Sequence, residues 1–170
     1  MNLHFPSTKK LSSDKIVSIF AFVISMGTLF TFIYQTRIMQ EHQRASHLPY
    51  LEVWHNNFSD KFEVILFNNG VGPAFITESH LTYKDSNYIF MYGQFFDDFD
   101  NSIKFRNTHF TPGRVIPAGE HVVLFGVYDS TATKSVLKRC SQIDFFIRYN
   151  SVFEESWTIS KIGIPPKRVE

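Results

Sequence analysis

The sequence predicts a mainly β protein: an N-terminal transmembrane α-helix with a stalk, followed by one antiparallel β-sandwich. Three observations carry this expectation. Residues 16–34 (IVSIFAFVISMGTLFTFIY) contain no charge, and about 20 helical residues cross the roughly 30 Å hydrocarbon core of a bilayer. Residues 35–46 (QTRIMQEHQRAS) are good helix formers with no Gly or Pro until Pro49, so the helix continues beyond the apolar run. Beyond Pro49 the chain breaks into short alternating segments separated by turn residues, as in a sandwich of short strands.

The expected layout is a short cationic segment at 1–15, a transmembrane helix at 16–34 and a juxtamembrane helical stalk at 35–48. A β-sandwich domain at 49–164 and a frayed tail at 165–170 follow. Ser12, Ser13 and Asp14 offer an N-cap and a first-turn acid for the helix. A continuous helix over 13–46 would be about 50 Å long at 1.5 Å per residue. A core helix of a soluble domain rarely stands at an N-terminus with this composition. A cleaved signal would need a small-x-small exit, where the chain reads Tyr34-Gln35-Thr36-Arg37. The run is therefore read as an uncleaved single-pass anchor. Within it Ser18, Ala21, Ser25 and Thr28 fall at spacings of three, four and three. They form a stripe of small residues that lets helices approach closely in lipid, a candidate face for homo-oligomerisation.

In the domain, 50–55 alternates with Leu51 and Val53 on one face, and 61–68 (KFEVILFN) with Phe62, Val64 and Leu66. Asn68-Asn69-Gly70-Val71-Gly72-Pro73 then breaks the pattern, and Asn-Gly is a turn signal because both residues tolerate positive φ. Strands are expected at 74–84, 121–128, 143–150 and 156–162, with a short helix or loop at 129–141 and a final hairpin turning at 151–155. From 87 to 112 the alternation fails.

Composition narrows the function classes. The formal net charge is +1, and no polybasic arm for duplex nucleic acid is present. One cysteine, Cys140, excludes a disulfide framework and a multi-cysteine zinc site. The seven histidines show no metal-ligand spacing, so no metal is expected. Asp97-Asp98-Phe99-Asp100-Asn101 lacks the glycine and terminal glutamate of a calcium loop. No nucleophile elbow, phosphate loop or metalloprotease motif occurs, so an enzyme is not expected. The chemistry-bearing stretch is 104–114 (KFRNTHFTPGR), where Lys104, Arg106, His109 and Arg114 supply cations and donors beside Phe105 and Phe110. Phosphates need such cations, and bases stack on aromatic rings. Equally, Phe105 and Phe110 can be core residues on strands whose cations face water.

Arg44-Ala45-Ser46, Leu48-Pro49-Tyr50-Leu51-Glu52, Asn68 to Ala74, Pro117-Ala118-Gly119-Glu120 and Trp157 resemble a pattern of small bacterial single-pass membrane proteins. In these a membrane helix precedes an immunoglobulin-like β-domain, and the resemblance implies that sandwich architecture. By layout only, the chain is similar to cyclic-oligoadenylate-gated membrane effectors of type III CRISPR antiviral systems. That resemblance implies a cytoplasmic domain that binds a cyclic oligoadenylate, for which the residue chemistry makes 104–114 the candidate site, and oligomeric helices that then perturb the bacterial inner membrane. No cofactor is implied beyond that ligand; the partners are the bilayer and further copies of the chain. The alternative is a periplasm-facing interaction module, or an accessory subunit of an envelope complex. Topology separates the two. Lys9, Lys10 and Lys15 precede the helix against Arg37 and Arg44 after it, which favours an outward domain by one residue. The layout resemblance outweighs that margin, and the domain is expected in the cytoplasm.

Overall fold

The computed structural model describes residues 12–58, 60–84, 86–89, 95, 105–129, 133, 136–138 and 141–169. The chain forms two compact units, Met1–Gln43 and Arg44–Glu170.

The first unit is carried by one helix, α1 (Ser13–Ala45), of 33 residues, about 50 Å at 1.5 Å per residue. It opens where the Ser12 carbonyl accepts the amides of Lys15 and Ile16, and Asp14 sits in its first turn at the positive end of the dipole. Its most apolar 18-residue window has a mean hydropathy of 2.3, and none of that window is buried in the protein. By length and composition it can cross a membrane. The hydroxyls in the apolar run are satisfied within the helix: Ser18 donates to the Asp14 carbonyl, Ser25 to Ala21, Thr28 to Ile24 and Thr31 to Gly27. Back-bonding of this kind spares each hydroxyl an unpaired position in hydrocarbon.

The second unit is an antiparallel β-sandwich, the architecture expected from the strand pattern. Its strands are β1 (Leu51–Asn57), β2 (Phe62–Asn68), β3 (Ala74–Tyr83), β4 (Ser86–Ile89), β5 (Phe105–Asn107), β6 (Val115–Ile116), β7 (His121–Val127), β8 (Ile143–Asn150), β9 (Ser156–Ile159) and β10 (Lys167–Val169). Sheet I runs β1-β2-β7-β5; sheet II runs β10-β9-β8-β3-β4, with β6 also on β3. The period-2 pattern sends Leu51, Val53, Val64 and Leu66 from sheet I, and Phe145, Ile147 and Tyr149 from sheet II, into one core with Phe95 and Phe110. The Tyr149 hydroxyl crosses between the sheets and accepts the Leu51 amide at 3.3 Å.

Two bulges change which residues face inward. Leu124 has no partner in the β2–β7 register, where Val64 opposes Phe125 and Ile65 opposes Val123. Leu124 and Phe125 are therefore consecutive and both buried. In β3 the register slips at Thr77, and the buried set passes from Ala74 and Ile76 to Ser79 and Leu81.

The frayed tail expected at 165–170 is corrected. Lys167–Val169 pairs with β9, and the Arg168 guanidinium holds Glu155 at 2.9 Å while lying over the Trp157 ring. The chain turns at Asn69-Gly70 as expected, but without positive φ there: among the described residues φ is positive at Lys84, Glu154, Gly113, Gly119 and Gly163. Gly70 and Gly72 are required by close approach instead. A Cβ on Gly70 would lie 2.3 Å from the Tyr50 amide nitrogen, and one on Gly72 1.9 Å from the His47 carbonyl oxygen. The loop is thus pressed against the lead-in segment 47–50, with the Val71 and Gly72 amides both donating to the Leu48 carbonyl.

Asn68 ties this corner together. It is wholly buried. Its side-chain oxygen accepts the amides of Tyr50 (3.2 Å) and Gly70 (3.0 Å). Its side-chain nitrogen faces the carbonyls of Gly72, Ile116 and Pro117 at 2.9–3.1 Å. Three separate stretches, 48–50, 68–73 and 116–120, converge on one amide.

Candidate functional site

The registers of sheet I lay its outer face out in three rungs. Glu52, Phe67 and His121 form the first; Trp54, Ile65 and Val123 the second; Asn56, Glu63, Gly126 and Arg106 the third. These are the side chains left pointing outward once Leu51, Val53, Val64 and Leu66 turn into the core.

The third rung is closed on itself. Glu63 is 7% exposed although it lies on an outer face. Lys61 Nζ sits 2.9 Å from one carboxylate oxygen, and the Tyr128 hydroxyl donates to the other at 2.7 Å. Burial alone pushes the Glu63 carboxyl up; the hydrogen bonds from Lys61 and Tyr128, with the charges of Lys61 and Arg106, outweigh it and hold the group below its usual value. The hydrogen bond to Glu63 and partial burial raise Tyr128 in turn. Gly126 lets these groups meet over β7, since a Cβ there would stand 3.1 Å from Glu63 Cγ and 3.2 Å from the Tyr128 oxygen.

The first two rungs, with Asn56 from the third and Asn69 from the turn after β2, form an open groove of about 430 Å³ lined by Trp54, Asn56, Ile65, Phe67, Asn69 and His121. Trp54 is 57% exposed, yet it is fixed: its indole N–H donates to Glu52 at 3.0 Å, and the same carboxylate oxygen accepts the Asn69 side-chain amide. Phe67 and His121 are stacked with centroids 6.2 Å apart. The outer face of sheet II differs, because its groups pair with one another. Glu78 is bridged by Arg148 at 3.3 Å and lies 3.6 Å from His80, while Phe146 is stacked on His80 and covered by Arg148.

The candidate anion-binding residues from 104–114 do not form one pocket among the described residues. Arg106 sits on β5, at the edge of sheet I, within the field of Glu63. Arg114 immediately precedes β6, on sheet II; it donates to the His109 carbonyl at 3.4 Å and lies 5.3 Å from the Phe110 ring centre. His109 and Arg114 are thus brought near each other and Arg106 is directed elsewhere. Phe110 is buried in the core, whereas Phe105 is 39% exposed. Lys104, Cys140 and the acidic run 97–101 lie outside the described residues. Among those described, no group of three His, Cys, Asp or Glu could hold a metal ion.

Sequence reasoning followed the inward face of β1 and β2 and passed over the outward one. The available signal was a tryptophan at an alternate position to Leu51 and Val53, with Ile65 and Phe67 also out of phase with the core. The chain matches no protein-family model and no curated protein.

Proposed function

We propose that the chain is a non-catalytic, membrane-anchored recognition module whose β-sandwich binds a partner on the outer face of sheet I. The observation that carries this is Trp54: a large, exposed aromatic ring held in one orientation by Glu52, which Asn69 braces in turn. Aromatic anchors with little conformational freedom to lose are where binding energy concentrates. A helix long and apolar enough to cross a bilayer supplies the anchor. With the hydroxyls of Ser18, Ser25 and Thr28 folded back, these residues and Ala21 leave a low-relief stripe for packing against another copy of the helix. The charges before the helix favour an outward-facing domain.

A cyclic-nucleotide-gated antiviral effector is the second reading. What favours it is the proximity of His109, Phe110 and Arg114, a cation and ring combination suited to a phosphate and base. It requires the domain to be cytoplasmic.

The test is topology. Val152, exposed in a turn of the domain, is replaced by Cys in a Cys140→Ser background, and bacterial spheroplasts are treated with a membrane-impermeant maleimide. Labelling of intact spheroplasts is expected from an outward-facing recognition module. Protection until lysis would overturn the outward placement and turn the search to nucleotide ligands and membrane leakage.

A further inference from the structure

We infer that the groove over the first two rungs of sheet I binds a neutral sugar ring of a glycan, stacked on the Trp54 indole. The inference rests on the recognition reading above and names the ligand class for the same face. Three properties of the groove select that class.

The first is its charge. The polar groups lining it are Asn56, Asn69 and His121, and the carboxylate of Glu52 braces one edge. Of the neighbouring fixed cations, Lys61 is ion-paired with Glu63 on the third rung, and Arg106 lies on that rung within the field of the same carboxylate. Phosphates, nucleotides and acidic peptides would meet a carboxylate, with no fixed cation lining the groove among the described residues.

The second is its mixture of surfaces. Trp54, Ile65 and Phe67 offer apolar contact, while the amides of Asn56 and Asn69 and the His121 imidazole, all lining the same groove, carry donors and acceptors, the Asn69 nitrogen also serving Glu52. A pyranose has the complementary construction. One face carries polarised C–H bonds that suit the electron-rich face of an indole, and its rim carries hydroxyls that both donate and accept. A purely apolar ligand would strand the amides.

The third is the state of the nearby strand edge. An extended peptide would bind by adding to the free edge of β1, but there the Val53 carbonyl already accepts the Gly163 amide at 3.2 Å. A volume of about 430 Å³ lies within the range of small-ligand sites, with an open top that lets a chain of sugars pass through.

The experiment uses the full chain in detergent micelles with Trp157→Phe, which leaves Trp54 as the single tryptophan, excited selectively at the red edge of its absorption where tyrosine does not absorb. That change removes an indole N–H that is buried without a hydrogen-bond partner in the protein, so no intramolecular hydrogen bond is lost. Soluble tetrasaccharides of N-acetylglucosamine, glucose in β-1,4 linkage and glucose in α-1,4 linkage are titrated. At least one is expected to give a saturable shift in Trp54 emission. Asn56→Ala is expected to weaken it by about tenfold, the equivalent of about 1.4 kcal/mol. Trp54→Ala, followed by ligand-detected NMR, is expected to abolish binding, and Trp54→Phe to restore part of it. Absence of a saturable response to all three sugars, with the β-sheet circular dichroism intact, overturns the sugar assignment. A photo-crosslinking residue at His121 then separates the two levels. A protein adduct without a sugar response leaves the recognition face standing with a different occupant, and neither response removes both.

Discussion

Replacing Asn68 tests whether one buried amide holds the sandwich corner. In Asn68→Ala the amides of Tyr50 and Gly70 lose their acceptor, and the carbonyls of Gly72, Ile116 and Pro117 lose a shared donor. An unpaired buried polar group costs about 1–3 kcal/mol. Tyr50 and Gly70 are only partly buried and Pro117 is exposed, so water can recover some of these bonds. Counting the two amides at the low end, and the better-buried carbonyls likewise, gives a loss of about 3–5 kcal/mol. That is a large share of the roughly 5–15 kcal/mol that holds a domain folded. The assay is urea unfolding of the detergent-solubilised chain followed by Trp54 and Trp157 fluorescence, both rings lying in the β-domain. With a slope of about 1–3 kcal/mol per molar urea, the midpoint should fall by at least about 1 M. Asn68→Asp should be no better than Ala, because it keeps the acceptor but turns an oxygen towards three carbonyls. A loss below about 1 kcal/mol in Asn68→Ala would refute the reasoning, since a typical single hydrogen bond is worth that much.

Other outcomes follow from the same geometry. Gly72→Ala must push the loop off His47, whose carbonyl oxygen lies 1.9 Å from the new Cβ, and should lower thermal stability sharply. Gly27→Ala, with nothing within 4 Å, should be tolerated and raise helix propensity by about 1 kcal/mol, read as unchanged expression and membrane extraction. Glu63 has a folded pKa below its reference value of 4.5, so its stabilisation is complete above pH 4.5 and is lost as the pH falls through the folded value. Unfolding midpoints measured from pH 3 to 8 should therefore slope less in Glu63→Gln, and equal acid slopes would count against the closed third rung. Tyr149 is pushed up to about 12 by burial; its contribution is present below pH 10 and declines as the pH rises through about 12. Tyr149→Phe should remove that alkaline step and cost about 1–2 kcal/mol at neutral pH through the stranded Leu51 amide, measured by urea unfolding.

The helix was legible because its signals are local. Apolar length, Asp14 at the start and Pro49 beyond the end are properties of consecutive residues. β1, β2, β3, β7 and β8 were legible for the same reason, each long enough to show alternation, and β9, with four residues, was legible as the return strand of the hairpin that turns at 151–155. β4, β5, β6 and β10 have two to four residues, too few to establish a period, and they form only because a longer neighbour offers a free edge. The bulges at Thr77 and Leu124 were hidden as well, since a one-residue slip is defined by the partner strand. Asn68 reads as a turn residue in the sequence. Its buried role arises from segments 18 and 49 residues away. The separation of Arg106 from Arg114 has the same origin: eight residues apart in sequence, they were assigned to different sheets by pairing with β7 and with β3.

The Asn69-Gly70 step also has a consequence for chemical ageing. An asparagine followed by glycine is the dipeptide most prone to deamidate, through attack of the glycine nitrogen on the asparagine side-chain carbonyl. In the folded domain the Gly70 amide is engaged at 3.0 Å by Asn68, and the Asn69 side chain is held by Glu52. Both reacting groups are occupied, and the backbone of Gly70 is pressed against the lead-in segment. The conversion that would place a new carboxylate beside Trp54 is therefore tied to opening of that corner, and accumulated isoaspartate at position 69 would record how long each molecule had spent unfolded.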